Sequence, residues 1–179
     1  MGIRVARMSD AKQIRAIYAP YVQSSGVTFE TEIPTLASFQ KRIKENLKYG
    51  WFVFEVNKNV VGYAYASSHR ERKAYQWSCE ISVYIAEKFH HQGIAQKLYL
   101  HLLKALAKKN LVNVYAGITL PNKRSVKFHE AMGFKSVGVY HKIGYKAGRW
   151  HDVGWWELSL NKHKPKPKLP KLDLAGASR

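Results

Sequence analysis

Residues 81–103 form the segment that most limits how this sequence can fold. An alternating strand runs into a short loop with a single glycine, Gly93, and then directly into an amphipathic helix. The helix is predicted from apolar residues that recur every four positions, namely Ile94, Leu98, Leu102 and Leu106. A helix that begins near Gln92 presents backbone N–H groups without intrahelical partners, and Gly93 allows an anion to approach them closely. The junction therefore predicts an anion-binding site between a strand and a helix.

A short strand and two helices are predicted before this segment. The strand covers residues 3–6, and Ser9 is placed to cap the first helix, which Pro20 is expected to bend or to end early. Thr35 is placed to cap the second helix, which presents one apolar face and ends at Gly50. Most of the strands therefore follow both of these helices.

The later strands are predicted from runs of β-branched and aromatic residues between turn signals. Residues 51–67 indicate a hairpin around the turn residues 57–59, and a final pair of strands flanks a turn at 146–149. Between these hairpins lie a strand at 113–120 and a helix that Asn122 is placed to cap. The predicted element order is βααβββαβαββ, which describes a mixed α/β chain.

The length and the charge limit the number of domains and the kind of partner. A chain of 179 residues suits one domain, which we expect to span residues 1–160. Residues 161–179 are rich in Lys and Pro, so we expect an extended tail that lies on the domain or is free in solvent. The 30 Lys and Arg against 12 Asp and Glu give a formal charge of +18. Nucleic acid, an anionic membrane and a phosphorylated small molecule all fit this sign.

A single cysteine, Cys79, excludes an internal disulfide framework and a zinc site built on several thiolates. The histidines lack the spacing of metal ligands, so we predict no metal. The N-terminus has no apolar stretch of signal-peptide length, and no segment approaches the roughly 18 apolar residues that span a bilayer. We therefore expect a cytoplasmic protein without a membrane segment.

Two titratable residues near the predicted anion site are candidates for proton transfer. Strand alternation places Glu80 on the face opposite the core residues Cys79 and Ile81, where apolar neighbours would make it a stronger base. The alternative is a solvated carboxylate, or one paired with a basic side chain. His129 lies on a helix, where a single histidine more often serves packing or lies on the surface. The pattern alone leaves both interpretations open for each residue.

The segment HRERKAYQW, residues 69–77, mixes cations with Tyr75 and Trp77. Such a mixture is typical of surfaces that stack on bases or hold a small anion. A solvated loop whose rings fold onto the sheet is the structural alternative. The segment matches no RNP, zinc-finger or helix-turn-helix pattern, so its indication of nucleic-acid binding is weak.

Several motifs occur in a family-specific order along residues 1–160: TFETE, GYAYAS, KAYQW, SVYIA, LYLHLLKAL, LPNKRSVKFHEAMGF and GRWHDVGWWELSL. They resemble the corresponding stretches of the GNAT superfamily of acetyl-CoA-dependent N-acetyltransferases. Within it they resemble the phosphinothricin acetyltransferases and their relatives that acetylate methionine sulfoximine. The resemblance implies an α/β (α+β) fold with a central mixed, mostly antiparallel sheet flanked by helices. It also implies a homodimer in which the acceptor pocket is shared.

The resemblance implies how acetyl-CoA would be bound. Backbone groups at the end of the SVYIA strand would hold the pantetheine arm as an added strand would, and the glycine loop would hold the pyrophosphate. The start of the helix after LPN would contact the cofactor further along. The implied cofactor-binding residues are Val83, Tyr84, Ile85, His90, His91, Gln92, Gly93, Ile94, Ala95, Asn122 and Ser125.

The resemblance also implies roles in catalysis. Glu80 matches the general base that takes a proton from the acceptor amine, and His129 matches the acid that protonates the departing thiolate. A backbone N–H near Tyr84 would stabilise the oxyanion. The acceptor would be a primary amine on a small amino-acid-like molecule of the phosphinothricin, methionine sulfoximine or methionine sulfone type. The residues implied to line its pocket are Phe29, Arg72, Lys73 and Tyr75.

One position departs from the family pattern, and two other functions remain open. The family has Gln or Arg three residues before the loop glycine, whereas this sequence has His90. A neutral histidine lacks the fixed charge, so cofactor affinity is expected to be weaker or to depend on pH. One alternative function is acetylation of proteins or peptides. The other, from a different class, is nucleic-acid binding by the basic surface and tail.

Overall fold

A computed structural model describes residues 1–24 and 26–172 of the chain. The element order βααβββαβαββ is confirmed. The elements are β1 (Gly2–Val5), α1 (Ala11–Ser24), α2 (Leu36–Asn46), β2 (Trp51–Val56), β3 (Asn59–Ser68), β4 (Ser78–Ile85), α3 (Ile94–Lys108), β5 (Asn113–Leu120), α4 (Lys123–Ala131), β6 (Lys135–Lys146) and β7 (Arg149–Ser159).

The strands form one sheet in the order β1-β2-β3-β4-β5-β7-β6. Every neighbouring pair is antiparallel except β4 and β5, which run parallel. Their pairing covers only the segments 78–80 and 113–115. Beyond Glu80 the two strands diverge, although β4 stays paired with β3 and β5 stays paired with β7. The sheet therefore splits at its centre.

Each face of the sheet has its own hydrophobic core. On one face, α3 buries Leu98, Leu102 and Leu106 against the odd-numbered residues of β4, such as Cys79 and Ile81. On the other face, α1 and α2 pack over β2 and β3, and Tyr84 of β4 lies against this second core. The alternation predicted for β4 is therefore confirmed.

The start and the length of α1 differ from the prediction. Ser9 does not cap the helix. A single 3-10 turn at Met8–Asp10 precedes it, and the Asp10 carboxylate accepts a 2.7 Å hydrogen bond from the Arg7 N–H. Asp10 also pairs with Arg4, which favours this carboxylate over the serine hydroxyl. Pro20 does not end the helix, because the last turn is held by the buried side chain of Val22 and by contacts with β4.

The described part of the predicted tail, residues 161–172, lies on the domain. The Trp77 indole N–H donates to the Lys168 carbonyl at 2.9 Å, and the Asn110 amide donates to the Leu169 carbonyl at 3.0 Å. Residues 173–179 of that prediction lie outside the described residues. Among the described residues, no helix is long and apolar enough to cross a membrane.

Candidate active site

A cavity of about 590 Å³ lies where β4 and β5 diverge. Its walls come from the end of β4, the glycine loop, the start of α3 and one side of α4. The residues predicted to bind the cofactor all line it, namely Val83, Tyr84, Ile85, His90, His91, Gln92, Gly93, Ile94, Ala95, Asn122 and Ser125. The structure therefore brings this set together at the split in the sheet.

The exposed edge of β4 offers backbone groups to the cavity. The Ala86 N–H donates to the Val61 carbonyl of β3, so even-numbered residues at the end of β4 point their hydrogen-bonding groups toward β3. The N–H and C=O of Val83 and Ile85 consequently face away from β3. Those of Ile85 bond to the Tyr21 hydroxyl, and its carbonyl also bonds to His90, so Val83 is the residue whose groups are offered to a ligand. The Tyr84 N–H faces β3, so among the N–H groups near Tyr84 that of Val83 is the one that faces the split. The edge can pair with an extended, amide-bearing ligand such as pantetheine.

The glycine loop and the start of α3 form the predicted anion cradle. Gly93 caps α3 in the left-handed region at φ 71°, and a Cβ at this position would have no atom within 4 Å. His91 is also left-handed, at φ 61°. No side chain caps the helix, so its first N–H groups remain available to an anion. This geometry fits a pyrophosphate.

His90 points away from the cradle. Its Nε2 lies 2.9 Å from the Ile85 carbonyl and 3.1 Å from the Tyr21 hydroxyl, which itself donates to the same carbonyl at 2.7 Å. His90 therefore ties the loop to β4 and α1. The Arg124 guanidinium lies 3.4 Å from His90 Nδ1 and brings a fixed positive charge to the loop. Sequence reasoning missed both Tyr21 and Arg124, although Arg124 lies only two residues after the predicted Asn122 cap.

His129 is buried in the cavity wall, with 5% of its surface exposed. Its Nδ1–H donates to the Ser125 carbonyl at 2.8 Å, and its Nε2 accepts from the Tyr99 hydroxyl at 3.1 Å. Burial lowers the pKa of His129 and raises the pKa of Tyr99, so both groups are neutral near pH 7. In this arrangement the Tyr99 hydroxyl carries the proton that the two side chains share. Sequence reasoning missed Tyr99, because its position on the apolar face of α3 also fits a core residue.

Glu80 differs from the expectation of an apolar environment. Its side chain is 35% exposed, and its Oε1 lies 2.9 Å from Nδ1 of His69. It is the last residue of β4 that pairs with β5, and it immediately precedes Ile81, the first residue of that strand to line the cavity. Glu80 and His129 lie on opposite faces of the sheet, on the two sides of the split.

The residues predicted to bind the acceptor are only partly brought together. Tyr75 packs edge-on to His69, with ring centroids 6.2 Å apart, and so lies near Glu80. Arg72 and Lys73 are exposed in the same connection. Phe29 lies elsewhere, with its ring over Gly144 and 6.0 Å from the His151 ring, where the α1–α2 loop meets β6 and β7.

Two other features of the site limit its chemistry. Cys79 is fully buried in the core, and burial raises the pKa of its thiol to about 12, so it is a packing residue rather than a nucleophile. In residues 1–24 and 26–172, the His, Cys, Asp and Glu side chains form no group of three or more that could hold a metal ion.

A second cavity, of about 860 Å³, lies between α1, the start of β3 and the turn that follows β4. It shares a wall with the first cavity, formed by Tyr21, Val27, Ile85, Phe89, His90 and Arg124. Because these residues border both spaces, the second cavity adds room next to the anion cradle.

Comparison with known proteins identifies the family. The sequence profile described as an acetyltransferase (GNAT) domain matches residues 3–155. The chain is 37% identical over 171 residues to phosphinothricin N-acetyltransferase from Streptomyces viridochromogenes, with 94% of this chain and 91% of that protein covered. It is 29% identical over 167 residues to L-methionine sulfoximine/L-methionine sulfone acetyltransferase from Salmonella typhimurium, with 91% and 96% covered.

A solved structure extends this comparison to the fold. The GNAT superfamily phosphinothricin acetyltransferase from Sinorhizobium meliloti, in complex with AcCoA, superposes with a TM-score of 0.88 at 28% identity. The match covers 93% of this chain and 92% of that one. The mixed, mostly antiparallel fold expected from the motifs is thereby confirmed. The chain belongs to the GNAT family of acetyltransferases.

Proposed function

We propose that this protein transfers the acetyl group of acetyl-CoA to the primary amine of a small amino-acid-like acceptor in the cytoplasm. The observation that carries the proposal is the cavity at the split in the sheet, which joins an uncapped helix N-terminus to an unpaired strand edge and ends beside Glu80. The names of the relatives support an acceptor of the phosphinothricin, methionine sulfoximine or methionine sulfone type.

The residues of the cavity fit acetyl-CoA, which supplies an activated acetyl thioester when bound. The edge of β4 at Val83 would hold the pantetheine arm through backbone hydrogen bonds, as an added strand does. The amides of the loop His91–Ala95 would hold the pyrophosphate. Arg124 would add the fixed positive charge that His90 does not provide.

Glu80 is the proposed general base. The acceptor amine is protonated near neutral pH and must lose a proton before it can attack a carbonyl carbon. The carboxylate stands at the acceptor side of the split, where its second oxygen can take that proton directly or through a water. The Val83 N–H would donate a hydrogen bond to the oxyanion that forms during attack.

Tyr99 and His129 are the residues proposed to stabilise the departing thiolate. In the resting protein the Tyr99 hydroxyl donates to His129, whose ring is fixed by Ser125. A thiolate in the cavity is a stronger acceptor than the imidazole, so the hydroxyl would turn toward sulfur and stabilise its charge. His129 thus acts through Tyr99 rather than as a protonated imidazole.

The acceptor pocket is proposed to lie beside Glu80, where Arg72, Lys73 and Tyr75 follow the end of β3. A guanidinium pairs with carboxylates and phosphinates through two parallel hydrogen bonds, so Arg72 suits the anionic group of the acceptor. Phe29 lies against Gly144 of β6 instead, so we assign it no contact in this pocket.

A homodimer is proposed from the ribbon of β6 and β7. β6 is the last strand of the sheet, and the ribbon exposes large apolar side chains, namely Val137, Val139, Tyr140, Ile143, Tyr145 and Trp150. An uncovered strand edge with an apolar face favours association with another sheet edge. A second copy of the chain offers a matching surface.

The test is acetyl-CoA consumption with phosphinothricin, methionine sulfoximine and methionine sulfone, against a lysine-containing peptide of neutral charge. We expect turnover with at least one of the three small acceptors and little with the peptide. Faster turnover with the peptide would favour acetylation of proteins. A protein that shows no thermal shift with acetyl-CoA and consumes it with no amine would contradict the enzymatic function.

A further inference from the structure

His69 is a half-buried titratable residue that none of the roles above uses. It follows the last residue of β3, and its side chain is only 17% exposed. Its Nδ1 lies 2.9 Å from Oε1 of Glu80, a residue on the next strand. Glu80 is paired with Ser67 of β3, so His69, two positions further along, extends over the same face of the sheet.

Aromatic rings fix the orientation of the His69 imidazole. It stacks on the Tyr115 ring with centroids 4.6 Å apart and planes at 24°. The Trp155 ring meets its edge at 5.9 Å, and the Tyr75 ring meets it at 6.2 Å. Tyr115 is the β5 partner of Glu80, so the stacking places the imidazole directly beside this carboxylate. A ring held on several sides keeps its N–H direction, whereas a lysine or arginine at the surface would not.

The hydrogen bond uses only one of the two carboxylate oxygens. An ionised Glu80 accepts from Nδ1–H of His69 through Oε1, which leaves Oε2 for the acceptor ammonium or for a bridging water. Since the Glu80 side chain is about one third exposed, solvent alone would leave it free to rotate. A fixed donor restricts that rotation and keeps the basic oxygen directed at the acceptor.

We infer that His69 is a positioning residue for the proposed general base: it holds Glu80 through Oε1 so that Oε2 meets the acceptor amine. This inference rests on the proposed acetyl transfer to an amine. It predicts that a change at His69 affects kcat and the KM for acetyl-CoA differently. Loss of the His69 donor should lower kcat, because the base is misdirected, and should leave the KM for acetyl-CoA unchanged, because the cofactor cavity is on the other side of the split.

Two substitutions separate positioning from packing. His69→Phe keeps a ring against Tyr115 and removes the donor, whereas His69→Asn places an amide N–H close to the position of Nδ1 and removes most of the ring. We expect kcat to fall by about tenfold to a hundredfold in His69→Phe, in the range of a misplaced catalytic group. His69→Asn should recover most of it. His163→Phe is the control, since His163 bonds to Asn113 on the exposed surface.

A double variant and a spectroscopic measurement complete the test. His69→Phe combined with Glu80→Gln should be no slower than Glu80→Gln alone, because the positioning effect requires the base. In the absence of substrate, the Nδ1 proton of His69 should give a downfield NMR resonance that shifts or disappears in Glu80→Gln.

The inference is overturned if His69→Phe keeps the wild-type kcat, if Phe and Asn lower it equally, or if the resonance is unchanged in Glu80→Gln. These results differ from a failure of the proposed function. In that case the wild-type protein itself would transfer no acetyl group to any amine, before any variant is compared.

Discussion

At the scale of single residues, two hydrogen-bonded pairs stand on either side of the split. Glu80 is held by His69 on the side proposed for the acceptor, and Tyr99 is held by His129 on the side proposed for the thioester. One pair is partly exposed and contains a carboxylate, whereas the other is buried and neutral. The chemistry of acetyl transfer needs this difference, because one group must accept a proton and the other must stabilise a departing anion.

Glu80→Gln and Tyr99→Phe should each lower kcat by about 10² to 10⁴-fold, the range of a general acid or base. Both changes keep the shape of the side chain, so the melting temperature should change little for the exposed Glu80 and modestly for the buried Tyr99. Steady-state kinetics with saturating acetyl-CoA and thermal unfolding measure the two effects. Wild-type kcat in both variants across about pH 6 to 9 would show that the roles are assigned wrongly.

The buried His129 should make the stability of the protein depend on pH. Its pKa is lowered in the folded state because burial disfavours the charged ring. The unfolded chain therefore binds the proton more readily, and folding free energy is lost as the pH falls below the ordinary value of 6.5. Urea unfolding at about pH 7.5 and about pH 5.5 should show a larger loss for wild type than for His129→Asn, which does not titrate there. An equal loss would contradict the neutral assignment.

At the scale of elements, the start of α3 forms the anion cradle, and the divergence of β4 and β5 forms the split in the sheet. Thr35 and Asn122 were predicted correctly as helix caps, because caps depend on neighbours within one turn. The prediction for Ser9 was wrong, because the Asp10 carboxylate pairs with Arg4, six residues earlier, and takes the Arg7 N–H instead. A residue at the end of another strand sets the environment of Glu80, which local sequence does not show.

The start of α4 should determine the affinity for phosphate groups. Arg124→Gln should weaken CoA binding by about tenfold, the effect of one charge-assisted hydrogen bond, and should leave pantetheine binding unchanged, because pantetheine has no phosphate. Lys127→Gln is the matched control, since Lys127 is exposed on the same helix. Isothermal titration with both ligands measures the difference. Equal weakening for CoA and pantetheine would place Arg124 outside the phosphate site.

At the scale of the whole molecule, the order of elements could be predicted because hydrophobic periodicity and turn residues repeat along the chain. Every residue that the family motifs implied for cofactor binding lines the cavity, together with other residues that the motifs did not imply. Tyr21, Tyr99 and His69 were missed, because their importance arises only where distant elements meet. Each has a common alternative role as a packing or surface residue, and sequence spacing does not separate the two.

The exposed ribbon should control the oligomeric state. We expect the protein to behave in light scattering as a dimer of the 20.6 kDa chain. Tyr145→Lys combined with Trp150→Lys should give monomers, because two charges would be placed on the apolar face. Leu100→Lys, an exposed apolar position on α3, is the control and should remain dimeric. Monomeric wild type would contradict the proposed association.

The basic tail, residues 161–179, should not be needed for catalysis. Removal of residues 161–179 eliminates the contacts with Trp77 and Asn110, so the melting temperature should fall while kcat stays the same. Any binding of duplex DNA should weaken with salt and disappear with the tail, as expected for phosphate contacts made by lysines. Loss of acetyl transfer in the shortened protein would instead connect the tail to the active site.

The split between β4 and β5 has a further meaning for the way in which the two substrates meet. A continuous sheet separates its two faces, but here an opening between β4 and β5 connects them. We expect the thioester on one face and the amine on the other. Through this opening the amine could reach the thioester directly, without a covalent acyl-enzyme intermediate. The one thiol of the chain, Cys79, is buried in the core and does not face the opening. We therefore expect each substrate to bind and dissociate from its own face of the sheet.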